Sequence, residues 1–217
     1  MKQDIASDEE EAFSWLCEEL VEAGYLNNFG KCKTYELIPK VENHYTEQLK
    51  TKTKDKIQTI ENNHVYTPDF ELHWNEKAKD IFIQTCVLGT FEFLDVIIPK
   101  TKFKLDKNCF WQNSSIHDSK CIIEIKGGYS KHGQLQGNAI DRKLLLQKYG
   151  LYVNLVKIPD LFKDTFTPKR YLLTKTGKQN RIIHFPTKTL KQYAELRQQI
   201  NLLDNPRTTI GNILKGD

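Results

Sequence analysis

Hydrophobic and polar positions along this chain follow the spacing of helices in some segments and of strands in others. Apolar residues recur every three to four positions over residues 7–24, 134–149 and 187–203, which predicts amphipathic helices. Ser7 can cap the first of these helices, with Glu10 three residues later as a capping box. Short runs rich in β-branched and aromatic residues predict strands at residues 33–38, 65–72, 80–87, 91–98, 122–126 and 151–158. Helices and strands mixed in this order predict an α/β fold on one mixed sheet.

Three segments fit neither spacing well. Residues 43–62 are polar, charged and weakly periodic, so they predict either an exposed helix or a mobile connection. A polar loop is expected through residues 111–117. Residues 171–174 and 182–185 flank a turn that contains glycine, which predicts a β-hairpin before the last helix.

Two of the predicted strands carry charge where the interior of a sheet is normally apolar. Glu124 and Lys126 alternate onto one face of a strand that otherwise consists of isoleucines. Asp69 lies among the apolar residues of an earlier strand. Because an unpaired buried carboxylate is costly, these positions indicate a metal, a mutual ion pair or a substrate.

Composition narrows the class of protein. A chain of 217 residues with 39% hydrophobic residues can bury one sizeable core. No apolar run approaches the roughly 20 residues that span a bilayer, and the acidic N-terminus lacks a signal-peptide pattern, so we expect a cytoplasmic protein in a bacterial or phage-infected cell. The five cysteines are scattered and form no Cys-x-x-Cys pair, which argues against a disulfide framework or a zinc ribbon.

The net charge of +4 conceals an asymmetry between the two parts of the chain. Residues 1–125 carry 15 Lys and Arg against 22 Asp and Glu, a net charge of −7. Residues 126–217 carry 17 against 6, a net charge of +11. A basic segment beside an acidic one suits a polyanion that is held while one of its phosphates is attacked, although solvated lysines give the same count.

The first predicted helix places one acid on its apolar face. At 100° per residue, Glu9 projects onto the middle of the face formed by Ala12, Phe13, Leu16 and Leu20, whereas Glu10 and Glu11 point progressively away. We therefore expect Glu9 to face the sheet. The alternative is that Glu9 only complements the positive end of the helix dipole.

These residues together resemble the PD-(D/E)XK nuclease superfamily. The resemblance lies in an acidic helix, then Tyr66-Thr-Pro-Asp69-Phe70, then Ile123-Glu124-Ile125-Lys126-Gly127, then a helix and a strand. These two motif sequences are similar to those of the branch that contains phage nucleases and transposase endonuclease subunits. The resemblance covers residues 7–157, and 55 positions separate its two acidic motifs, which is longer than usual for the family. Asp95, on a strand nearer to Glu124, is a rival for the role of Asp69.

The resemblance implies a restriction-endonuclease-like core and a set of site residues. It implies that Asp69, Glu124 and the Ile125 carbonyl bind Mg²⁺ or Mn²⁺, that Glu9 holds a second metal or a water, and that Lys126 assists the attacking water. Residues 73–119 would be an insertion between the two catalytic strands, and residues 158–217 a basic extension of a single nuclease domain. The expected nucleic-acid contacts are Gly127, Lys131, Asn138, Arg142, Lys169 and Arg170.

The function that follows is a metal-dependent deoxyribonuclease, expected to be an endonuclease. One alternative is an RNA endonuclease, because the site residues do not read the sugar. Another is a catalytically inactive member of the fold that binds nucleic acid or protein, with an internal Glu124–Lys126 or Asp69–Lys126 ion pair. A third is a subunit that needs a partner protein or a second copy to cut. None of these alternatives involves a membrane.

Overall fold

The computed structural model describes residues 7–86, 109–113, 120–126, 132–174 and 176–204. The helices in these ranges are α1 (Asp8–Glu22), α2 (His132–Tyr149), α3 (Ile158–Asp164) and α4 (Leu190–Asp204). The strands are β1 (Leu26–Lys31), β2 (Tyr35–Ile38), β3 (Val41–Gln48), β4 (Thr53–Glu61), β5 (His64–Tyr66), β6 (Phe70–Trp74), β7 (Ile83–Cys86), β8 (Phe110–Asn113), β9 (Lys120–Ile125) and β10 (Val153–Val156). Short 3₁₀ helices lie at Glu76–Ala78 and Lys169–Leu172.

The helices predicted from the apolar spacing are confirmed as α1, α2 and α4. Ser7 caps α1, and its hydroxyl accepts a hydrogen bond from the Glu10 N–H at 3.1 Å. The chain leaves α1 through Gly24, whose φ of +73° lies in the left-handed region that favours glycine.

A six-stranded mixed sheet forms the centre of the molecule. Strand β6 pairs antiparallel with β1 on one side and with β9 on the other, and β10 pairs parallel with β9. The start of β9 also touches β8, which runs parallel to β7. The mixed sheet that the sequence predicted is therefore present.

Both faces of this sheet are covered, because alternate residues of β9 enter different cores. Ile123 packs with Phe13 and Leu16 of α1 and with Phe70 and Leu72 of β6. Ile122 packs on the other face, in a second core with Tyr35, Tyr66, Leu145 of α2 and Val153. Burial on both sides explains why β9 contains three isoleucines and a cysteine among its six residues.

The C-terminal part returns to the first of these cores. Phe162 and Phe166 are fully buried there, and Tyr193 of α4 lies 5.2 Å from the ring of Phe82 between centroids. The Tyr193 hydroxyl also donates to the carbonyl of Ile81 at 3.3 Å. Helices α3 and α4 thus contribute side chains to the same core as α1 and the sheet.

Four predictions of elements from the sequence are wrong. The strand predicted at residues 65–72 is two strands, β5 and β6, in different sheets, and Asp69 lies in the bend just before β6. Residues 43–62 are neither a helix nor a mobile connection, because β3 and β4 form an antiparallel hairpin. Residues 111–113, expected in a polar loop, belong to strand β8. The hairpin predicted at residues 171–185 is replaced by the 3₁₀ helix Lys169–Leu172 and a single bridge between Leu173 and Asn180.

Some expectations fall outside the described residues. These are the strand at residues 91–98 with Asp95, the loop residues 114–117, and the proposed contacts Gly127 and Lys131. In the part of the chain that the structure describes, no helix has both the length and the apolar character to cross a membrane.

Candidate active site

The two acidic motifs meet where β6 begins and β9 ends. Phe70 lies opposite Ile123 in the antiparallel ladder, so Asp69, directly before β6, reaches the end of β9. The Asp69 carboxylate accepts a hydrogen bond from the Ile125 N–H, with 2.6 Å between Oδ2 and N. The long insertion therefore leaves the two motifs adjacent in space.

Glu124 is the most deeply buried acid of this site, at 6% exposure. Its Oε2 accepts a hydrogen bond from the Tyr66 hydroxyl at 2.9 Å, and its Oε1 forms an ion pair with the Lys126 ammonium. The backbone N–H of Lys126 donates to the Val156 carbonyl at 2.8 Å, which fixes the end of β9 against β10. Burying a carboxylate is costly unless its oxygens have partners, and both oxygens of Glu124 have one.

Asp69 is half-buried, and its surroundings disfavour its charged form. Burial, which has the largest effect, acts together with the negative charges of Glu124 and Glu10, and the pKa of this carboxyl rises from its ordinary value of 3.8 to about 6. The hydrogen bond from Ile125 and the charge of Lys126 act in the opposite direction. Three carboxylates and one ammonium are thus electrostatically coupled at the end of the sheet.

The acid that α1 supplies to this group is Glu10. Its residue is 8% exposed and its charge acts on Asp69, whereas Glu9 is only partly buried. The expectation that Glu10 points away from the core is therefore wrong. The buried face of α1 is wider than its apolar residues suggest, because the polar Ser14 and the thiol of Cys17 lie within it, four and seven positions after Glu10.

Lys31 of β1 completes the cluster on this side. Its ammonium forms an ion pair with the Glu10 carboxylate and lies 5.2 Å from the centre of the Phe70 ring. Lys31 and Tyr66 were not predicted from the sequence as site residues. Tyr66 was part of the quoted motif, but its bond to Glu124 joins positions 58 residues apart, which no local pattern reveals.

Arg142 of α2 approaches the same group. Its positive charge lowers the pKa of the Tyr66 hydroxyl, although burial and the neighbouring Glu124 carboxylate keep that pKa well above its ordinary value. The Arg142 Nε donates to the carbonyl of Asn138 at 3.3 Å. Arg142 and Lys126 also line one cleft of about 460 Å³, together with Tyr152 and Lys157. Two cations beside a cleft next to carboxylates can bind an anionic group such as a phosphate.

The other predicted nucleic-acid contacts lie against α1. The N–H of Lys169 donates to the Glu19 carboxylate at 2.5 Å, and the Arg170 guanidinium stacks on Trp15 at 4.8 Å from the ring centre. Glu19 is nine positions beyond Glu10 on α1, so this contact lies about 13 Å along the helix axis from the cluster. A contact of Lys169 and Arg170 with nucleic acid stays a prediction.

The donor set suits a magnesium ion held by few protein ligands. Among the described residues, no three His, Cys, Asp or Glu side chains form a group that could hold a metal ion. Mg²⁺ needs only one or two carboxylates, because it keeps several of its waters. Asp69 and Glu124 provide two carboxylates whose charges repel each other, and a divalent cation would remove that repulsion.

Comparison with protein-family models, with curated proteins and with solved structures found no match to this chain.

The raised pKa of Asp69 gives a prediction for stability. The folded protein binds the proton of this carboxyl more tightly than the unfolded chain does, so ionisation opposes folding. Without metal, we expect the contribution of Asp69 to the free energy of unfolding to fall as the pH rises from 3.8 to about 6, and to stay constant above that. Urea unfolding in EDTA at several pH values, compared with Asp69→Asn, measures it. Identical pH profiles for the two proteins would contradict the prediction.

Proposed function

We propose that this chain is a metal-dependent nuclease that hydrolyses phosphodiester bonds of DNA. The observation that carries the proposal is the convergence of Asp69, Glu124 and Lys126 at the adjoining ends of β6 and β9. The order α1, β6, β9, α2, β10 also agrees with the order of elements that the PD-(D/E)XK resemblance implies. The preference for DNA over RNA rests on the resemblance to phage nucleases and transposase endonuclease subunits.

Each residue of the cluster has a distinct task in such a reaction. Asp69 and Glu124 would hold a Mg²⁺ or Mn²⁺ ion, which supplies Lewis-acid polarisation and a water with a lowered pKa. The Ile125 N–H orients one carboxylate of the pair and the Tyr66 hydroxyl orients the other, and Glu124 would exchange its ion pair with Lys126 for the metal. The role of the Ile125 carbonyl as a further ligand stays a prediction.

The cations of the cluster act on the substrate and on the attacking water. Lys126 directly follows β9 and lines the cleft, so its ammonium can orient the water and stabilise negative charge as it develops. Arg142 lines the same cleft from α2 and can bind a phosphate oxygen. Glu10, itself paired with Lys31, adds negative charge next to Asp69 and strengthens the attraction for a cation.

The inactive alternative also has an observation in its favour. The Glu124–Lys126 ion pair is the internal pairing that a catalytically inactive binding member of the fold would keep. Metal binding separates the two functions. A nuclease should unfold at a higher temperature in Mg²⁺ or Mn²⁺ than in EDTA at neutral pH, whereas an inactive module should show no such difference.

The class of substrate is tested with one panel of labelled nucleic acids. Single-stranded, duplex, flapped and four-way DNA are incubated beside RNA with Mg²⁺, Mn²⁺ or EDTA. Cleavage of DNA that EDTA prevents is the expected result, and cleavage of RNA alone would assign the chain to the RNA endonucleases. No cleavage of any member, together with no stabilisation by metal, would contradict the proposal.

The pair Glu9 and Glu10 offers a matched test of which acid of α1 serves the site. We expect Glu10→Gln to lower the cleavage rate by about 10- to 100-fold, the usual effect of removing an outer-shell partner of a metal site. Glu9→Gln makes the same chemical change one position earlier and should stay close to the unmodified rate. The rates are measured over a series of Mg²⁺ concentrations. A larger effect of Glu9→Gln would restore the assignment made from the sequence.

A further inference from the structure

The hairpin of β3 and β4 extends away from the two cores. We call residues 41–61 the arm. All of its residues are exposed except Glu42, Glu47 and Lys56, which are partly buried. Among the described residues, β3 and β4 form ladder pairs only with each other. An isolated two-stranded hairpin is marginally stable in water, so an arm of this kind indicates a binding partner.

The tip of the arm concentrates positive charge. Residues 49–56 carry four lysines and one aspartate, a net charge of +3. The Leu49 N–H donates to the Lys52 carbonyl at 2.9 Å, which closes the turn between the strands. The Asp55 carboxylate accepts a hydrogen bond from the Thr46 hydroxyl at 2.9 Å, on the opposite strand. Lys50, Lys52 and Lys54 are all exposed and give the tip its charge.

The register of the arm places polar side chains with the lysines on one face. Tyr45 lies opposite Lys56, Glu47 opposite Lys54, and Asn43 opposite Gln58. Directly opposed residues of an antiparallel pair share a face, so this face carries amide, phenol and ammonium groups together with the Glu47 carboxylate. Lys56 also forms an ion pair with Glu47 across the strands. Such groups hydrogen-bond phosphates and base edges, and a two-stranded ribbon fits the major groove of a duplex.

The root of the arm adjoins the carboxylate cluster. Strand β2 leads into the arm and β5 leads out of it, and the two pair with each other at its base. The last residue of β5 is Tyr66, whose hydroxyl binds Glu124. Eight residues of β3 span about 27 Å at ~3.4 Å per residue, which is the length of about eight base pairs. The pair of β2 and β5 therefore connects the arm to the residue that holds Glu124.

We propose that the arm binds a nucleic-acid duplex, with Lys50, Lys52 and Lys54 contacting its phosphates and the hairpin lying in its groove. This inference rests on the proposed function and adds a second contact region to it. It assigns the arm to holding the duplex and leaves the chemistry to the cluster around Asp69 and Glu124.

The test compares two charge-matched triple variants of the full chain. One carries Lys50→Gln, Lys52→Gln and Lys54→Gln, and the control carries Lys79→Gln, Lys163→Gln and Lys191→Gln at exposed positions outside the arm. The affinity for a labelled duplex of 30 base pairs is measured in EDTA over a series of KCl concentrations. The slope of log affinity against log salt should become shallower by about 2 to 3 in the arm variant, because each lost phosphate contact removes about 0.9. The control should keep the unmodified slope.

Two further measurements distinguish a failure of the proposal for the arm from a failure of the proposed nuclease function. The single-turnover cleavage rate at saturating duplex should be the same in the arm variant as in the unmodified protein, and lysine-to-arginine changes at the same three positions should restore the slope. If the unmodified protein cuts DNA and the arm variant keeps the full slope of log affinity against log salt, the proposal for the arm is overturned and the nuclease function is not. A protein that neither cuts nor binds would overturn the function and the arm together. A dimer in sedimentation that Ile57→Lys dissociates would assign the arm to a second copy of the chain instead.

Discussion

Replacing Lys126 with alanine should reduce Mg²⁺-dependent cleavage by about 10²- to 10⁴-fold, the contribution that a positioned acid–base group usually makes. Lys126 lies at the end of β9, borders the cleft and contacts the buried Glu124 carboxylate. It is therefore placed between the expected metal ligands and the space open to a phosphate. The variant should still fold, because Tyr66 and the backbone of β9 continue to hold Glu124.

The same variant should bind metal at least as well as the unmodified protein. Without Lys126, the Glu124 carboxylate loses its cationic partner and costs more to keep charged in the folded protein without metal. Added Mg²⁺ should then raise the unfolding temperature by more than it does in the unmodified protein. Lys157→Ala is the matched control, because Lys157 lines the same cleft from an exposed position. Near-normal cleavage by Lys126→Ala, or equal losses in both variants, would contradict the role of Lys126.

Replacing Asp69 with asparagine should abolish cleavage and remove most of the stabilisation by metal. The amide oxygen can still accept the hydrogen bond from the Ile125 N–H, so the local fold is kept. The side chain no longer carries the negative charge that attracts a cation, and it no longer repels Glu124 and Glu10. At pH 7 in EDTA, the variant should therefore be at least as stable as the unmodified protein.

Calorimetry and thermal unfolding measure the loss of stabilisation by metal directly. At a Mg²⁺ concentration 100 times the dissociation constant, one site stabilises the unmodified protein by about 2.7 kcal/mol, and the variant should lose most of that. Asp160→Asn makes the same change at an exposed position of the cleft that Lys126 lines and should leave the stabilisation intact. Full stabilisation of Asp69→Asn by metal would show that the ion is bound elsewhere.

The sequence predicted those elements whose burial follows one clear period. Helix α1 buries a stripe of apolar residues, and β9 is buried on both faces, so apolar spacing and β-branched content identify them. The arm was missed because it is exposed on both faces, and its strands therefore lack the alternation that marks a half-buried strand. The C-terminal hairpin was predicted from local propensity alone. Ile182, which had suggested a strand, is 80% exposed and packs on no core.

Asp69, Glu124 and Lys126 were predicted from the sequence as one site. The residues that contact this site, such as Lys31 and Tyr66, were not predicted. Glu124 stood out because a charge within an apolar strand is anomalous whatever the tertiary fold, and Asp69 stood out because apolar residues flank it in the sequence, although it lies in the bend before β6. Glu10 was predicted to point away because the apolar face was defined by Ala12, Phe13, Leu16 and Leu20, whereas the buried face of α1 also includes Ser14 and Cys17. Lys31 lies on β1, a strand that the sequence did not predict at all.

The most direct test of the account is the cleavage of one labelled duplex DNA by the purified chain. The reaction is run in Mg²⁺, in EDTA, and in EDTA with excess Mg²⁺ restored, beside Lys126→Ala prepared in the same way. Cleavage that disappears in EDTA, returns with Mg²⁺ and is absent in the variant is the predicted result. Cleavage that persists in EDTA, or is the same in both proteins, would show that Asp69, Glu124 and Lys126 are not the centre of a metal-dependent nuclease.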